Sequence, residues 1–167
     1  MPNAPPDAGG AFGGPPVSAA DRAGMSVALA EAAAAAAVDE VPVGAAVVRD
    51  GVVIARSHNA TVRRHDPTAH AELLALQQAL EHLGTDRLTD CTLYVTLEPC
   101  AQCAGAIVLT KVGRLVFGAA DPKAGMCGSV GDLVRHPRLN HRVEVVGGVD
   151  AAAASALLRG FFEGRRP

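Results

Sequence analysis

Apolar positions along the 167 residues recur with two periods, and the places where one gives way to the other lay out the elements. From Asp21, read as an N-cap, the chain runs through Met25, Val27, Leu29 and the alanines of 32–37. These are strong helix formers apart from Val27, and Pro42 bars further helix. Val43 to Val48 and Val52 to Ala55 are short β-branched runs joined by Arg49-Asp50-Gly51, and Asp-Gly between apolar runs signals a hairpin. Thr68 is placed to cap a helix through Leu83, with Leu73, Leu76, Leu80 and Leu83 on one face and Gly84 as its stop. Cys91 to Leu97 reads as a buried strand, Ala101 to Thr110 as a helix and Arg114 to Gly118 as a second strand, which predicts a parallel βαβ unit. A Gly-rich loop (Asp121 to Gly131), a short helix near Asp132 to Arg135, a strand at Arg142 to Val146 and a helix from Asp150 to Glu163 follow. The order predicts an α/β protein, a three-layer α/β/α sandwich around a mixed five-stranded sheet.

Composition narrows this picture. The first twenty residues hold five Pro and four Gly without periodicity, so residues 1–20 are expected to be a disordered tail and 21–167 a single domain. Charged residues interrupt every long apolar stretch, and the N-terminus has neither a basic residue nor an apolar run of signal-peptide length. No membrane span is expected, and the protein is read as cytoplasmic. Aromatics make up only 3% of the chain, so the core must be filled by Ala, Val and Leu. Residues 1–110 hold 6 Lys/Arg against 12 Asp/Glu, and residues 111–167 hold 9 against 5, so the balance moves from −6 to +4. The basic last third is either a nucleic-acid footprint or plain solvated surface.

Four Cys are too few for a disulfide scaffold, which leaves metal or redox chemistry for Cys100 and Cys103. His70-Ala71-Glu72 precedes Pro99-Cys100-Ala101-Gln102-Cys103, with a helix and a strand between them. Either half alone is weak. Together they supply one nitrogen and two sulfur donors, three ligands that leave the fourth position of a tetrahedral zinc to water. The two cysteines share one face of a helical first turn, where the dipole favours thiolate. His70 and Glu72 stand two apart and converge only by reaching over a helix terminus. Glu72 need not be a ligand. A carboxylate beside an activated water takes a proton and delivers it to a ring nitrogen and a leaving amine. The combined pattern resembles the H-x-E…P-C-x-x-C signature of zinc deaminases.

VPVGAAVV, HDPTAHAE, LYVTLEPCAQCAGAI, GRLVFGA, DPKAG, NHRVEV and the terminal FFEGRR together resemble the bacterial tRNA adenosine deaminase family, over roughly Asp21 to Arg166. The resemblance implies a cytidine-deaminase-like fold, a homodimer, one Zn2+ per subunit, and conversion of adenosine to inosine at the wobble position of a tRNA anticodon stem-loop. It assigns His70, Cys100 and Cys103 to zinc and Glu72 to proton transfer. It also sets Asn59 and Val43 against the flipped nucleoside and Asp121, Phe161, Phe162 and Arg165 near the RNA strand. Gln102 replaces the usual Met before the second cysteine, and Lys111 stands where Arg is common.

The remaining candidates read more plainly. Cys91 is expected to be a small core residue and Cys127 an incidental loop cysteine, while His58, His82 and His136 are read as surface residues. His65 is either a solvated loop residue or an RNA-contacting edge, and apart from the resemblance Asn59 reads as a turn residue. Two other functions stay open. One keeps the site but takes a free base or nucleoside such as guanine or cytosine. The other is a zinc-stabilised binding module, against which Glu72 counts, because a structural site gains nothing from an unligated carboxylate. A truncation starting at Ala20 is expected to keep activity.

Overall fold

A computed structural model describes residues 16–165. The element order is α1 (Ala19–Ala37), β1 (Gly44–Arg49), β2 (Val52–His58), α2 (Ala71–Leu83), β3 (Cys91–Leu97), α3 (Ala101–Leu109), β4 (Arg114–Ala119), β5 (Glu144–Val146) and α4 (Ala151–Glu163). The five strands lie in the order β2-β1-β3-β4-β5. β1 is antiparallel to β2 and to β3, whereas β3, β4 and β5 run parallel, so the sheet is mixed as predicted. The hairpin turns on Asp50 and Gly51, with φ of 50° and 75°. Two successive positive φ values are what a two-residue hairpin of matching twist requires, and Gly meets them at no steric cost.

Side chains alternate across the sheet with a period of two, and this sorts the helices into layers. Leu93, Val95, Leu115 and Phe117 pack with Ala71, Ala75 and Ala79 of α2 and Ala104 and Ile107 of α3. The intervening Tyr94 and Val116 face the other way, against Met25 and Ala28 of α1. α4 joins α1 on that second face, where a Cβ on Gly118 of β4 would stand 3.2 Å from that of Ala154. α1 lies very close to the sheet, since a Cβ on Gly44 would fall 2.0 Å from the Ala28 carbonyl oxygen. Ala28, Ala32 and Ala35 are fully buried there. The alanine-rich helix is therefore a spacing device that lets two backbones approach, which is how a chain poor in aromatics closes its core.

α1 starts three residues earlier than Asp21 predicts. Ser18 is the N-cap, and Ser18 and Asp21 exchange backbone-to-side-chain bonds in a capping box, which puts Asp21 in the first turn. Ala19 and Ala20, expected in a disordered tail, are thus helical, and residues 1–15 lie outside the described residues. Asp21 is fully buried and accepts hydrogen bonds from two guanidinium nitrogens of Arg114 on β4 and from the Tyr94 hydroxyl of β3. Burial alone would raise its pKa, but these donors outweigh it and hold the carboxyl at about 2.

Three other predicted boundaries change. β2 extends to His58, because Arg56 and His58 on this edge strand both bond Glu31 of α1. His58 is thus a half-buried partner and not a free surface residue. No helix forms near Asp132 to Arg135. The Asp132 carboxylate accepts from the Arg135 backbone and side chain, and Pro137 bars continuation. β5 begins at Glu144, because the Val143 N–H bonds the Val134 carbonyl in the preceding loop. Among the described residues no helix is long and apolar enough to cross a membrane.

Candidate metal centre and active site

The candidate site is built on two helix N-termini. His70 is the N-cap of α2, with Ala71 and Glu72 as its first two helical residues. Cys100 is the N-cap of α3 and Cys103 lies in its first turn. N-cap positions ordinarily carry Ser, Thr, Asp or Asn, whose side chains bond the exposed N–H groups of the first turn. Neither His70 nor Cys100 makes such a bond, so both side chains are free to turn elsewhere. At α2 the missing cap is supplied from a distance, where Asn59 Oδ1 accepts the Ala71 N–H at 2.9 Å. Thr68, the expected cap, instead closes a turn on the Asp66 carboxylate. Because His70 stands outside the helix proper, it and Glu72 reach over the terminus to the same space, as their spacing demands.

His70 Nδ1 lies 3.5 Å from Cys100 Sγ and 3.5 Å from Cys103 Sγ, and one donor atom from each residue falls within 4.8 Å of the others. A tetrahedral zinc with nitrogen at about 2.0–2.1 Å and sulfur at about 2.3 Å separates such donors by about 3.6 Å. The donor set and its spacing thus fit zinc with one position left open. Hydrogen bonds from Cys103 and His70 hold the Cys100 thiol far below its ordinary range, to about 3, so one thiolate is already favoured. Cys103 is pushed up by sharing that proton with Cys100 and by burial, and His70 is raised chiefly by its bond to Cys100.

Glu72 is 4% exposed and stands outside the donor group. Burial pushes its carboxyl up to about 7, against opposing contributions from its own N–H and the His70 charge. A carboxyl that exchanges a proton near neutrality beside an open metal position is equipped to act as a proton shuttle.

The other predicted residues fall in two places. Val43 is buried, and its carbonyl accepts the Asn59 N–H at 3.1 Å, so Val43, Asn59 and Ala71 form one chain of contacts leading to the α2 terminus. Asp121 and Phe162 line an open groove with Leu97, Lys123, Leu158 and Arg159, three residues from Cys100 along the chain at Leu97. Phe161 meets the Phe162 ring edge to face and lies 3.9 Å below the Arg165 guanidinium. Arg165 also pairs with Asp39 at 2.9 Å, so its charge is engaged within the chain.

Cys91 and Cys127 are both buried in the main core cluster, Cys91 as expected and Cys127 more deeply than a loop cysteine suggests. Burial pushes the Cys91 thiol up to about 11 and Cys127 still higher. His65 is exposed in a turn with φ of 50°. Lys111 follows the far end of α3, away from the cysteines. Gln102 donates to the Thr68 carbonyl at 2.9 Å and braces the cysteine turn against the histidine turn.

Sequence reasoning missed Glu40 and the pair Lys123 and Arg159. Glu40, 1% exposed, accepts the N–H groups of Val62 and Arg63 and fixes the loop from β2 to α2. Its signal was a carboxylate wedged between a helix end and an apolar strand. Lys123 and Arg159 concentrate part of the excess positive charge of the last third beside the groove, which charge counting alone did not locate.

A family model described as MafB19-like deaminase matches residues 20–166. The tRNA-specific adenosine deaminase of Bacillus subtilis (strain 168) is 47% identical over 138 residues, which is 83% of this chain and 86% of that protein. A structure solved in a study of A-to-I editing by tRNA:A34 deaminases at the wobble position of transfer RNA superposes with a TM-score of 0.78 at 44% identity, covering 81% of this chain and 99% of that one. A guanine deaminase from Nitrosomonas europaea superposes with a TM-score of 0.75 at 30% identity, over 95% of this chain and 93% of its own. Nearly half identical to the Bacillus subtilis enzyme over most of both chains, the chain belongs to the tRNA-specific adenosine deaminase family.

Proposed function

We propose that the protein hydrolyses adenosine to inosine at the wobble position of a tRNA anticodon, releasing ammonia. The observation that carries this reading is the open His70, Cys100 and Cys103 donor set with the buried Glu72 carboxyl beside it. These three residues would hold one zinc ion per subunit. Bound there, zinc supplies the activation of water for attack at the purine carbon that bears the amine. Glu72 accepts a proton from the attacking water and places it on the adjacent ring nitrogen, then takes the second proton from the oxygen added at that carbon and delivers it to the departing amine. Water enters, ammonia leaves, and the exocyclic nitrogen is exchanged for oxygen.

Anticodon-loop bases are splayed out at little unstacking cost, which suits a site recessed between two helix termini. Asn59 and Val43 are assigned to the nucleoside, and Asp121, Phe161, Phe162 and Arg165 to the flanking strand. The groove supports the second assignment, since Lys123 and Arg159 set positive charge along its wall. Arg165 must exchange its Asp39 partner to reach a phosphate. Association into a homodimer is inferred from the family resemblance, and action in the cytoplasm from the tRNA substrate proposed here.

The guanine deaminase likeness makes a free base the competing substrate, at 30% identity against 47% for the tRNA enzyme. Turnover of an anticodon stem-loop RNA and of free guanine, measured side by side on zinc-loaded protein, separates the two. Inosine from the RNA with no turnover of guanine supports the reading. Robust guanine turnover with inert RNA overturns it.

A further inference from the structure

We propose that Glu98 is a positioning residue that anchors the substrate-facing loop 121–129 to the turn carrying Cys100. The inference deepens the proposed function and rests on it for the identity of the substrate. Glu98 follows Leu97, the last residue of β3, is 2% exposed and immediately precedes Pro99-Cys100. Its own N–H continues the strand ladder by donating to the Ala119 carbonyl at 2.8 Å. Its carboxylate faces out of the sheet into a stretch with no helix or named strand between β4 and β5.

Four donors from that stretch converge on it. Oε1 accepts the Asp121 N–H at 3.1 Å and the Ser129 hydroxyl, and Oε2 accepts the N–H groups of Cys127 and Ser129, each at 3.1 Å. A buried carboxylate does here what a neighbouring strand does elsewhere, satisfying the buried Cys127 N–H and the part-buried N–H groups of Asp121 and Ser129. The Met126 N–H donates to the Pro99 carbonyl at 2.9 Å and fastens the same loop to the cysteine turn a second time.

The anchor reaches the groove through Asp121. The N–H of Asp121 is held by Glu98, its carboxylate closes a turn on the N–H groups of Lys123 and Ala124, and its carbonyl accepts that of Gly125. Asp121, Pro122 and Lys123 line the groove together with Phe162. Gly125 lies tight against the anchor, since a Cβ there would stand 2.3 Å from the Glu98 carboxyl carbon and from Oε2. His70, Glu72, Cys100 and Cys103 make no bond to the Glu98 side chain among those described, so the anchor acts on substrate placement and not on the chemical step.

Glu98→Gln tests this with little change in volume. With its amide nitrogen toward Ser129, the new side chain keeps a hydroxyl that accepts from it and keeps the Cys127 and Ser129 N–H bonds. Only the Asp121 N–H loses its acceptor. The reverse orientation sets the nitrogen against two N–H groups and is disfavoured. Hydrogen exchange of the Asp121 amide is expected to rise about ten-fold while the Cys127 and Ser129 amides stay protected. KM for an anticodon stem-loop is expected to rise about ten-fold, with kcat within about two-fold and zinc content unchanged. Gly125→Ala, which displaces the carboxylate from the other side, is expected to raise KM in the same direction. Unchanged exchange at Asp121 overturns the anchor, and so does a fall in kcat and zinc content at constant KM. A lowered Tm with KM and kcat both at wild-type values overturns the positioning role. Should the wild-type protein form no inosine, the functional reading fails, and the exchange measurement still decides the anchor.

Discussion

Replacing Asp21 with Asn should destabilise the protein by an amount that depends on pH in a specified way. Asp21 is fully buried at the first turn of α1, where it joins that helix to Tyr94 of β3 and Arg114 of β4. Its carboxyl falls from 3.8 to about 2, because the Arg114, Ser18 and Tyr94 bonds outweigh the opposing effect of burial. A carboxylate shifted by that much contributes about 2 kcal/mol to folding. Because the folded pKa is depressed, the contribution is fully present above about pH 4 and is lost as pH falls toward 2. The Asn variant also leaves the Arg114 charge, 21% exposed, without its buried partner. At pH 7 it should be less stable than wild type by about 2 kcal/mol or more, a drop in Tm of about 4–8 °C for a domain of this size. Urea unfolding of both proteins at intervals from pH 7 to pH 2 measures the gap, and subtraction cancels the other carboxylates. The gap should be flat to about pH 4 and narrow below it. A gap that stays constant down to pH 2 would refute the assignment of this stability to the Asp21 charge.

Glu72→Ala should abolish turnover while zinc stays at one per chain, checked by metal analysis beside a single-turnover assay; an active variant removes Glu72 from proton transfer. Cys103→Ser should do the reverse and lose the zinc itself, which metal analysis reads directly. A chain starting at Ala20 lacks the Ser18 cap and should melt about 2–4 °C below one starting at Pro16, since an N-cap and its reciprocal bond are worth about 1 kcal/mol; equal melting temperatures would remove Ser18 from the account. The expectation of unchanged activity for the shorter chain is thereby tied to the stability it retains.

The sheet and the candidate metal site were legible because their signals are local. Short apolar, largely β-branched runs marked all five strands, and two short motifs carried all four catalytic and metal candidates, each within three or four residues. What was hidden depends on partners far apart in the chain. The Ser18 cap was overlooked because Asp21, itself a good cap residue, stands three positions on and turned out to be the other half of the box. The α2 cap comes from Asn59, twelve residues back, so Thr68 looked like the cap and was not. The loops flanking the site carry no periodicity, and two buried glutamates hold them, Glu40 reaching Val62 and Arg63 and Glu98 reaching as far as Ser129. A carboxylate in sequence reads as surface until the donors that converge on it are known. The helix expected near Asp132 to Arg135 failed for a related reason, since the Asp132 side chain captures the local N–H and Pro137 closes the option.

The most direct test is the position of inosine in an anticodon stem-loop RNA with adenosine at the wobble position and further adenosines elsewhere in the loop, incubated with purified zinc-loaded protein. The account predicts inosine at the wobble adenosine and at none of the others, and no inosine with Glu72→Ala. Zinc-bound wild-type protein that leaves the wobble adenosine unchanged, or converts loop adenosines without preference, would contradict it.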